Sequence, residues 1–293
     1  MLTQQLANGL TTGLIYSLLA IGLVMAYSTT KVINFAHGEL FVFGAFIGLT
    51  LQRQGHLPFA VAAGLAVLVV FVFVGMFAYL ILWKLKSSLE RSIATIALGL
   101  ALRDLMLVLF GSDSESFVAV YPGGTLSLGT ITVSYATVLV CLASLVLLAA
   151  TSLFVHRTRY GIWMRATAQN EQLAAMAGIP THQVQAGAFA GGAALAALAG
   201  LLVTPQWQVY YGAGTVVGLK AFTAALIGGF GSFRGALLGG IVVGVVEALL
   251  AGYVSSTWKD SGVYVFLILV MLLMPRLASV VRKVQLAWER NRE

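Results

Sequence analysis

The chain has 293 residues, of which 59% are hydrophobic and only 9% charged, with a mean hydropathy of +0.94. Soluble domains carry about a quarter charged residues, so this composition excludes a soluble globular protein and defines a polytopic membrane protein. The net charge of +7 does not point to nucleic acid, because the basic residues are confined to a few short connections and the C-terminal tail, a topological distribution.

Apolar windows fall at about 6–27, 36–51, 57–83, 92–110, 135–155, 184–204, 216–230, 235–253 and 262–281. Most reach the ~20 residues that a spanning helix needs. The chain therefore reads as one all-α transmembrane domain over 1–293, a helix bundle of about eight to nine membrane segments. The first run is long and has neither a basic n-region nor a convincing cleavage site, so it is expected to stay as a helix. The second and seventh windows are short and come with polar or Gly-rich sequence, which marks broken or re-entrant helices. The lone Cys141 sits among Leu, Val and Ala, which leaves no intrachain disulfide and suits a small core residue better than a catalytic thiol.

Charge sets the orientation. If all nine windows cross, Lys31, then Lys84, Lys86 and Arg91, then Arg157, Arg159 and Arg165, then Arg234, and finally Arg276, Arg282, Lys283, Arg290 and Arg292 share one side. The positive-inside rule makes that side cytosolic and places the N-terminus outside. Arg53 and His56, Asp113 and Glu115, and Lys259 and Asp260 then fall outside, where charge is sparse or balanced.

After the first window, Asn34-Phe-Ala-His-Gly-Glu39 places three polar side chains at the mouth of an apolar segment. Asn34, His37 and Glu39 together cost several kcal/mol in hydrocarbon if unpaired, so they should face other helices, water or the cytosolic boundary. Gly38 marks a break. Freed backbone groups at membrane depth are tolerated only inside protein or beside water, as in transport sites, although a polar surface hairpin fits the same residues. Between Gly111 and Ser134, Pro122-Gly123-Gly124 followed by alternating residues from Thr125 to Val133 predicts a small external hairpin.

The connection from His156 to Gln183 contains a short helix: Leu173, Met176 and Ala177 share a face, Gly178 stands where a C-terminal cap belongs, and Pro180 stops continuation. Such a helix either lies in the membrane interface or inserts into a groove on a soluble partner. Farther on, Gly187-x-x-x-Gly191, Gly235-x-x-x-Gly239 and Gly240-x-x-x-Gly244 are spacings at which helix backbones approach closely. Lys220 either snorkels to the external interface or faces a cavity with Thr223. Glu247 pairs with Arg103 or Lys220, or is a protonated structural carboxyl. Gly229-Phe-Gly231 has the wrong spacing for a nucleotide fingerprint and there is no Walker A sequence, so the chain has no P-loop for ATP. His37 with Glu39 is not a metal motif, and neither a metal site nor a catalytic residue is expected.

Helix 1 plus Asn34–Gly48 and helix 6 plus Gly218–Ser232 read as weak counterparts entering from opposite sides. Such an inverted repeat would make two polar breaks meet near the midplane.

Ile33-Asn-Phe-Ala-His-Gly-Glu39, Arg165-Ala-Thr-Ala with Gly178-Ile179, and Lys220-Ala-Phe-Thr-Ala-Ala through Gly228-Gly-Phe-Gly-Ser232 with Gly235-Ala236 resemble the inner-membrane permease subunits of bacterial branched-chain amino acid ABC importers. The resemblance covers nearly the whole chain. It implies a second related permease subunit, two cytosolic ATPase subunits that hold ATP and Mg, and an external solute-binding protein, with no cofactor on this chain. It further implies that the loop at about 156–183 carries the coupling helix, with Arg165, Ala166, Thr167, Leu173, Met176 and Gly178 meeting an ATPase, and that the tail at about 282–293 is cytosolic. Asn34, His37, Glu39, Lys220 and Thr223 become candidates for the translocation pathway or its gate. The expected cargo is a branched-chain amino acid, with urea, short amides or small carboxylates as alternatives within the family. A stand-alone secondary transporter is the rival class. Gln169-Asn170, where acidic residues are common, and Phe230 and Phe233 around the Gly motif depart from the family's pattern.

Overall fold

The computed structural model describes residues 2–114, 121, 123–128 and 131–273. Glu115, Pro122, Arg276 and the expected basic tail lie outside the described residues. The helices are α1 (Leu2–Thr30), α2 (His37–Arg53), α3 (Phe59–Leu80), α4 (Ser88–Phe110), α5 (Tyr135–Arg157), α6 (Arg159–Gln169), α7 (Glu171–Met176), α8 (Thr181–Val203), α9 (Ala213–Gly228), α10 (Phe233–Tyr253) and α11, which spans 259–273. Between α4 and α5 an antiparallel hairpin pairs β1 (Thr125–Leu128) with β2 (Ile131–Ser134), Thr125 opposite Ser134.

Among the described residues, six helices are long and apolar enough to cross a membrane, fewer than the eight to nine expected. With 17 and 16 residues, α2 and α9 are short because each begins inside the bundle, after an irregular stretch, rather than at a membrane surface, and the last expected window, 262–281, is described only to residue 273.

Side-chain caps fix the starts of several elements. The Ser87 hydroxyl accepts the Glu90 N–H at 3.1 Å while the Glu90 carboxylate accepts the Lys86 N–H at 2.9 Å, opening α4. Ser134, Thr158, Asn170 and Ser232 accept backbone N–H groups at the starts of α5, α6, α7 and α10.

Burial divides the helices into centre and periphery. The apolar windows of α1 and α8 are 83% and 78% buried, whereas those of α3, α4 and α5 are 22–28% buried, which leaves broad apolar faces for lipid or another subunit. α3 turns inward a single stripe, Ala62, Ala66, Val70, Val74 and Ala78, at four-residue spacing. Lipid is as apolar as a core, so the inward side is chosen by small side chains that admit close approach. The most extensive seam joins α1 to α10: a Cβ at Gly13 would lie 2.7 Å from the Ile241 Cα, and Gly240 and Gly244 abut Ser17 and Gly13. Gly235 and Gly239 likewise meet Gly228 and Ala224 of α9, Gly191 meets Met25, and Gly187 leaves room for the Tyr160 hydroxyl.

The packing maps onto itself when α1, α2 and α3 are exchanged for α8, α9 and α10. α1 packs on α10 as α8 packs on α3, α2 on α8 as α9 on α1, and α2 on α3 as α9 on α10. The remaining pairs, α1 with α8 and α2 with α9, are exchanged into themselves. This is the inverted repeat.

Contacts also sort the connections into two faces. Ser88 donates to the Lys31 carbonyl at 2.9 Å, Trp83 lies on His182, and His156 lies on Phe233, which gathers the basic connections on one face. Gln4 bonds Thr132 and Tyr121 bonds Leu202 on the other.

Candidate functional site

The centre of the bundle is organised by the stretch 31–36. Lys31 has a left-handed backbone (φ 55°) that ends α1, and the chain then turns back into the protein. The depth follows from one bond: His37 Nε2 lies 3.0 Å from the Leu19 carbonyl oxygen. Leu19 is eleven residues before the end of α1, which at ~1.5 Å per residue puts His37 about 16 Å inside. Thus α2 starts near mid-depth.

An unpaired extended stretch at that depth would expose its backbone groups, and neighbouring side chains prevent it. The Thr30 hydroxyl accepts the Val32 N–H at 3.1 Å, Thr95 of α4 accepts the Phe35 N–H at 3.0 Å, and Asn34 Oδ1 accepts the Ala36 N–H at 3.1 Å. A carbonyl can only accept, so His37 donates from Nε2 and its Nδ1 is left as an acceptor. Glu39 Oε1 accepts from Thr215 at 2.8 Å.

Glycines on three neighbouring helices make the room. A Cβ at Gly22 of α1 would lie 2.9 Å from the His37 ring, Gly99 of α4 faces Ala36 and Glu39, and Gly214 of α9 abuts the Glu39 carboxyl. At the crossing itself, Gly38 rests on Gly214 and Gly218, so the first turns of α2 and α9 meet backbone to backbone. The two breaks are in contact. Beside them is a cavity of about 310 Å³, walled by Asn34, His37, Glu39 and Thr215 together with apolar residues that include Ile96, Leu100, Leu219 and Phe222.

Lys220 and Thr223 are not part of this cavity. The Thr223 hydroxyl is turned onto the Leu219 carbonyl at 2.8 Å. Lys220 is buried and extends toward the face that carries the N-terminus, where Nζ donates to Glu247 at 2.7 Å and to Asp260 at 2.6 Å. Tyr16 donates to the other Glu247 oxygen at 2.7 Å, and Lys259 stands 3.8 Å from Glu247. Two cations and two carboxylates thereby tie α1, α9, α10 and α11 together with balanced charge, the arrangement that makes buried ions tolerable. The cluster forms part of the wall of a second cavity of about 530 Å³, which also has Gln5, Gln206 and Trp207 in its lining.

The connection between α5 and α8 holds two helices rather than one, because the Asn170 side chain accepts the Leu173 N–H at 3.0 Å and starts α7 afresh. Gly178 has φ 82° and closes α7 with the Ile179 N–H on the Ala174 carbonyl at 3.1 Å. Leu173 and Met176 are exposed at 62% and 84%, an unpartnered apolar pair on the basic face. Thr167 is buried and Ala166 half-buried, while Arg165 is exposed and donates to the His156 carbonyl at 3.3 Å. Tyr160 donates to the carbonyls of Gln183 and Val184, which ties α6 to α8, and burial pushes its phenol above the usual range.

Of the sequence-derived pathway residues, Asn34, His37 and Glu39 therefore come together and Lys220 and Thr223 do not join them. Sequence reasoning missed Gly22, Thr95, Gly99, Gly214 and Thr215. Only Gly214 and Thr215 had a signal, as small and polar residues immediately ahead of the short seventh window.

Two broken helices of opposite sense, crossing at glycines beside a cavity inside an apolar bundle, define a multi-pass membrane transport protein. Residues 5–274 match the family described as branched-chain amino acid transport system / permease component, and the chain belongs to that family. It is 35% identical to the high-affinity branched-chain amino acid transport system permease protein BraD of Pseudomonas aeruginosa, over 93% of this chain and 94% of that one. It is 31% identical to the corresponding protein LivH of Salmonella typhimurium, over 93% of each chain. A solved structure, PsaBC from Streptococcus pneumoniae in complex with Fab, aligns with a TM-score of 0.48 at 15% identity, over 91% of this chain and 89% of that one.

Proposed function

We propose that this chain is the membrane permease of an ABC importer for branched-chain amino acids, resident in the bacterial inner membrane. The observation that carries the reading is the meeting of the two breaks at Gly38, Gly214 and Gly218, beside a cavity with polar groups at mid-depth and aliphatic walls. The relatives, permease proteins of high-affinity branched-chain amino acid transport systems, supply the substrate class. The basic face is cytosolic by the positive-inside rule, so the N-terminus lies outside and the C-terminus inside.

The chain performs no covalent chemistry. It takes two conformations whose balance is shifted by ATP on separate cytosolic ATPases, which hold the nucleotide and Mg. The exposed Leu173 and Met176 seat in one ATPase, and α6 and α7 transmit its motion to α8 through Tyr160. Exposed Phe35, Leu100 and Leu219 at the rim of the central cavity are covered by a second, related permease, and an external solute-binding protein delivers cargo to the opposite face.

The test is uptake into proteoliposomes by this chain co-purified with its ATPases and supplied with its binding protein, comparing leucine, urea and a small carboxylate. Leucine uptake that requires ATP and the binding protein supports the proposal. Uptake by the chain alone, indifferent to ATP, would make it a secondary transporter.

A further inference from the structure

Three side-chain atoms around the central cavity are buried without a hydrogen-bond partner: Asn34 Nδ2, His37 Nδ1 and Glu39 Oε2. Their residues are 2%, 1% and 6% exposed. Each orphan is fixed in identity by the bond its neighbour atom makes. Asn34 Oδ1 is held by the Ala36 N–H, so Nδ2 is a donor in need of an acceptor. Glu39 Oε1 is held by Thr215, so Oε2 is an acceptor in need of a donor. Glu39 forms no ion pair among the described residues, and Arg103, stacked over Tyr211, acts on it only at longer range. Lys220, in contrast, satisfies two carboxylates in the same bundle.

Buried polar groups in proteins are nearly always paired, and several orphans on one cavity wall are complementary to something that arrives. The lining combines a carboxylate acceptor of Glu39 and an amide donor of Asn34 with the apolar side chains of Leu100, Leu219 and Phe222. We infer that this cavity is a recognition site for the free amino acid itself. Its α-ammonium goes to Glu39 Oε2, its α-carboxylate accepts from Asn34 Nδ2, and its aliphatic side chain lies on the apolar walls. The inference rests on the reading that the cargo is a branched-chain amino acid and adds that the permease, not the external binding protein alone, discriminates it. The polar atoms are shielded from water in the structure, Glu39 Oε2 by Gly214 of α9, so recognition requires that contact to give way before the amino acid reaches them.

The test uses the complete permease–ATPase complex in detergent, without the external binding protein. Radiolabelled leucine at millimolar concentration is measured against 4-methylpentanoate, which lacks the amino group, and 3-methylbutylamine, which lacks the carboxylate. Wild type is expected to bind leucine and to prefer it at least tenfold over either analogue. Glu39→Gln should lose at least tenfold for leucine and for the amine while 4-methylpentanoate is unchanged, and Asn34→Ala should do the reverse for the two analogues. Glu39→Asp should restore part of the leucine binding. Equal loss of all three ligands in Glu39→Gln would mark a structural residue and overturn the inference, as would leucine binding within twofold of wild type. A complex that imports leucine with ATP and binding protein yet binds none alone overturns the inference and leaves the proposed function standing. Import of a different cargo overturns both.

Discussion

Gly38 in the first turn of α2 and Gly218 in α9 touch so closely that a Cβ placed on Gly38 would lie 2.7 Å from the Gly218 Cα. No side chain fits between them. The contact joins two helices that both start inside the bundle, reached from opposite faces, and both glycines line the cavity beside Glu39. Gly38→Val should therefore destabilise the protein by about 1–3 kcal/mol through overpacking and abolish transport. Gly64, where a Cβ meets nothing within 4 Å, supplies the control. Thermal unfolding and uptake should both be near wild type in Gly64→Ala and both impaired in Gly38→Val.

The ion cluster predicts a non-additive pair. Lys220→Met removes the shared cation and leaves the buried Glu247 with Tyr16 and the more distant Lys259, at an expected cost of about 3–5 kcal/mol. Glu247→Gln in the same chain should recover a large part of that loss. Asp260, whose side chain is 40% exposed, should tolerate Asp260→Asn with a loss within about 1 kcal/mol. A double-mutant cycle read by chemical or thermal unfolding checks all three, and simple additivity of the Lys220 and Glu247 changes would show that the pair is not coupled.

The α6–α7 connection predicts a separation of folding from coupling. A Cβ on Gly178 meets nothing within 4 Å, so an arginine there projects from the protein, and the positive φ costs about 1 kcal/mol. Gly178→Arg and Met176→Ser should leave the purified chain folded by size-exclusion chromatography while uptake falls at least tenfold and the ATPases fail to co-purify. Retention of stoichiometric ATPase with full uptake in both variants would place the docking surface elsewhere.

Much of this architecture was legible in the residues. The short windows at 36–51 and 216–230 anticipated α2 and α9, because Gly and polar residues interrupt hydropathy where a helix starts in mid-membrane. The alternation after Thr125 anticipated the hairpin, and the Gly178–Pro180 signal anticipated the end of α7. Other features had no local signature. Which side of α3 or α5 faces inward is invisible to hydropathy, since lipid and core are equally apolar; in α3 the inward stripe is Ala62, Ala66, Val70, Val74 and Ala78, and in α5 it includes Val140, Ser144 and Leu148, no more apolar than the outward side. Lys220 read as snorkelling to the external interface or facing a cavity with Thr223, and pairing with Glu247 was among the alternatives for that carboxyl; Glu247 and Asp260 are 27 and 40 residues away, so tertiary packing decided which contacts form. Gly22 and Gly99 are ordinary glycines in apolar helices until the 34–39 turn is seen against them. Asn170 split the connection between α5 and α8 by capping α7, a signal present in the sequence and outweighed there by the continuous run of helix formers around it.

The central claim is that cargo passes beside the crossing of α2 and α9, and a cysteine in that wall tests it most directly. With the native Cys141 replaced by serine, Leu219→Cys would be introduced and the complete importer reconstituted with ATP and binding protein. Its reaction with a small membrane-impermeant thiol reagent would then be timed. The account predicts that labelling speeds up when ATP drives the cycle and slows again when leucine is present in excess. Labelling at one rate in all conditions would contradict it and place the pathway outside the Gly38–Gly218 crossing.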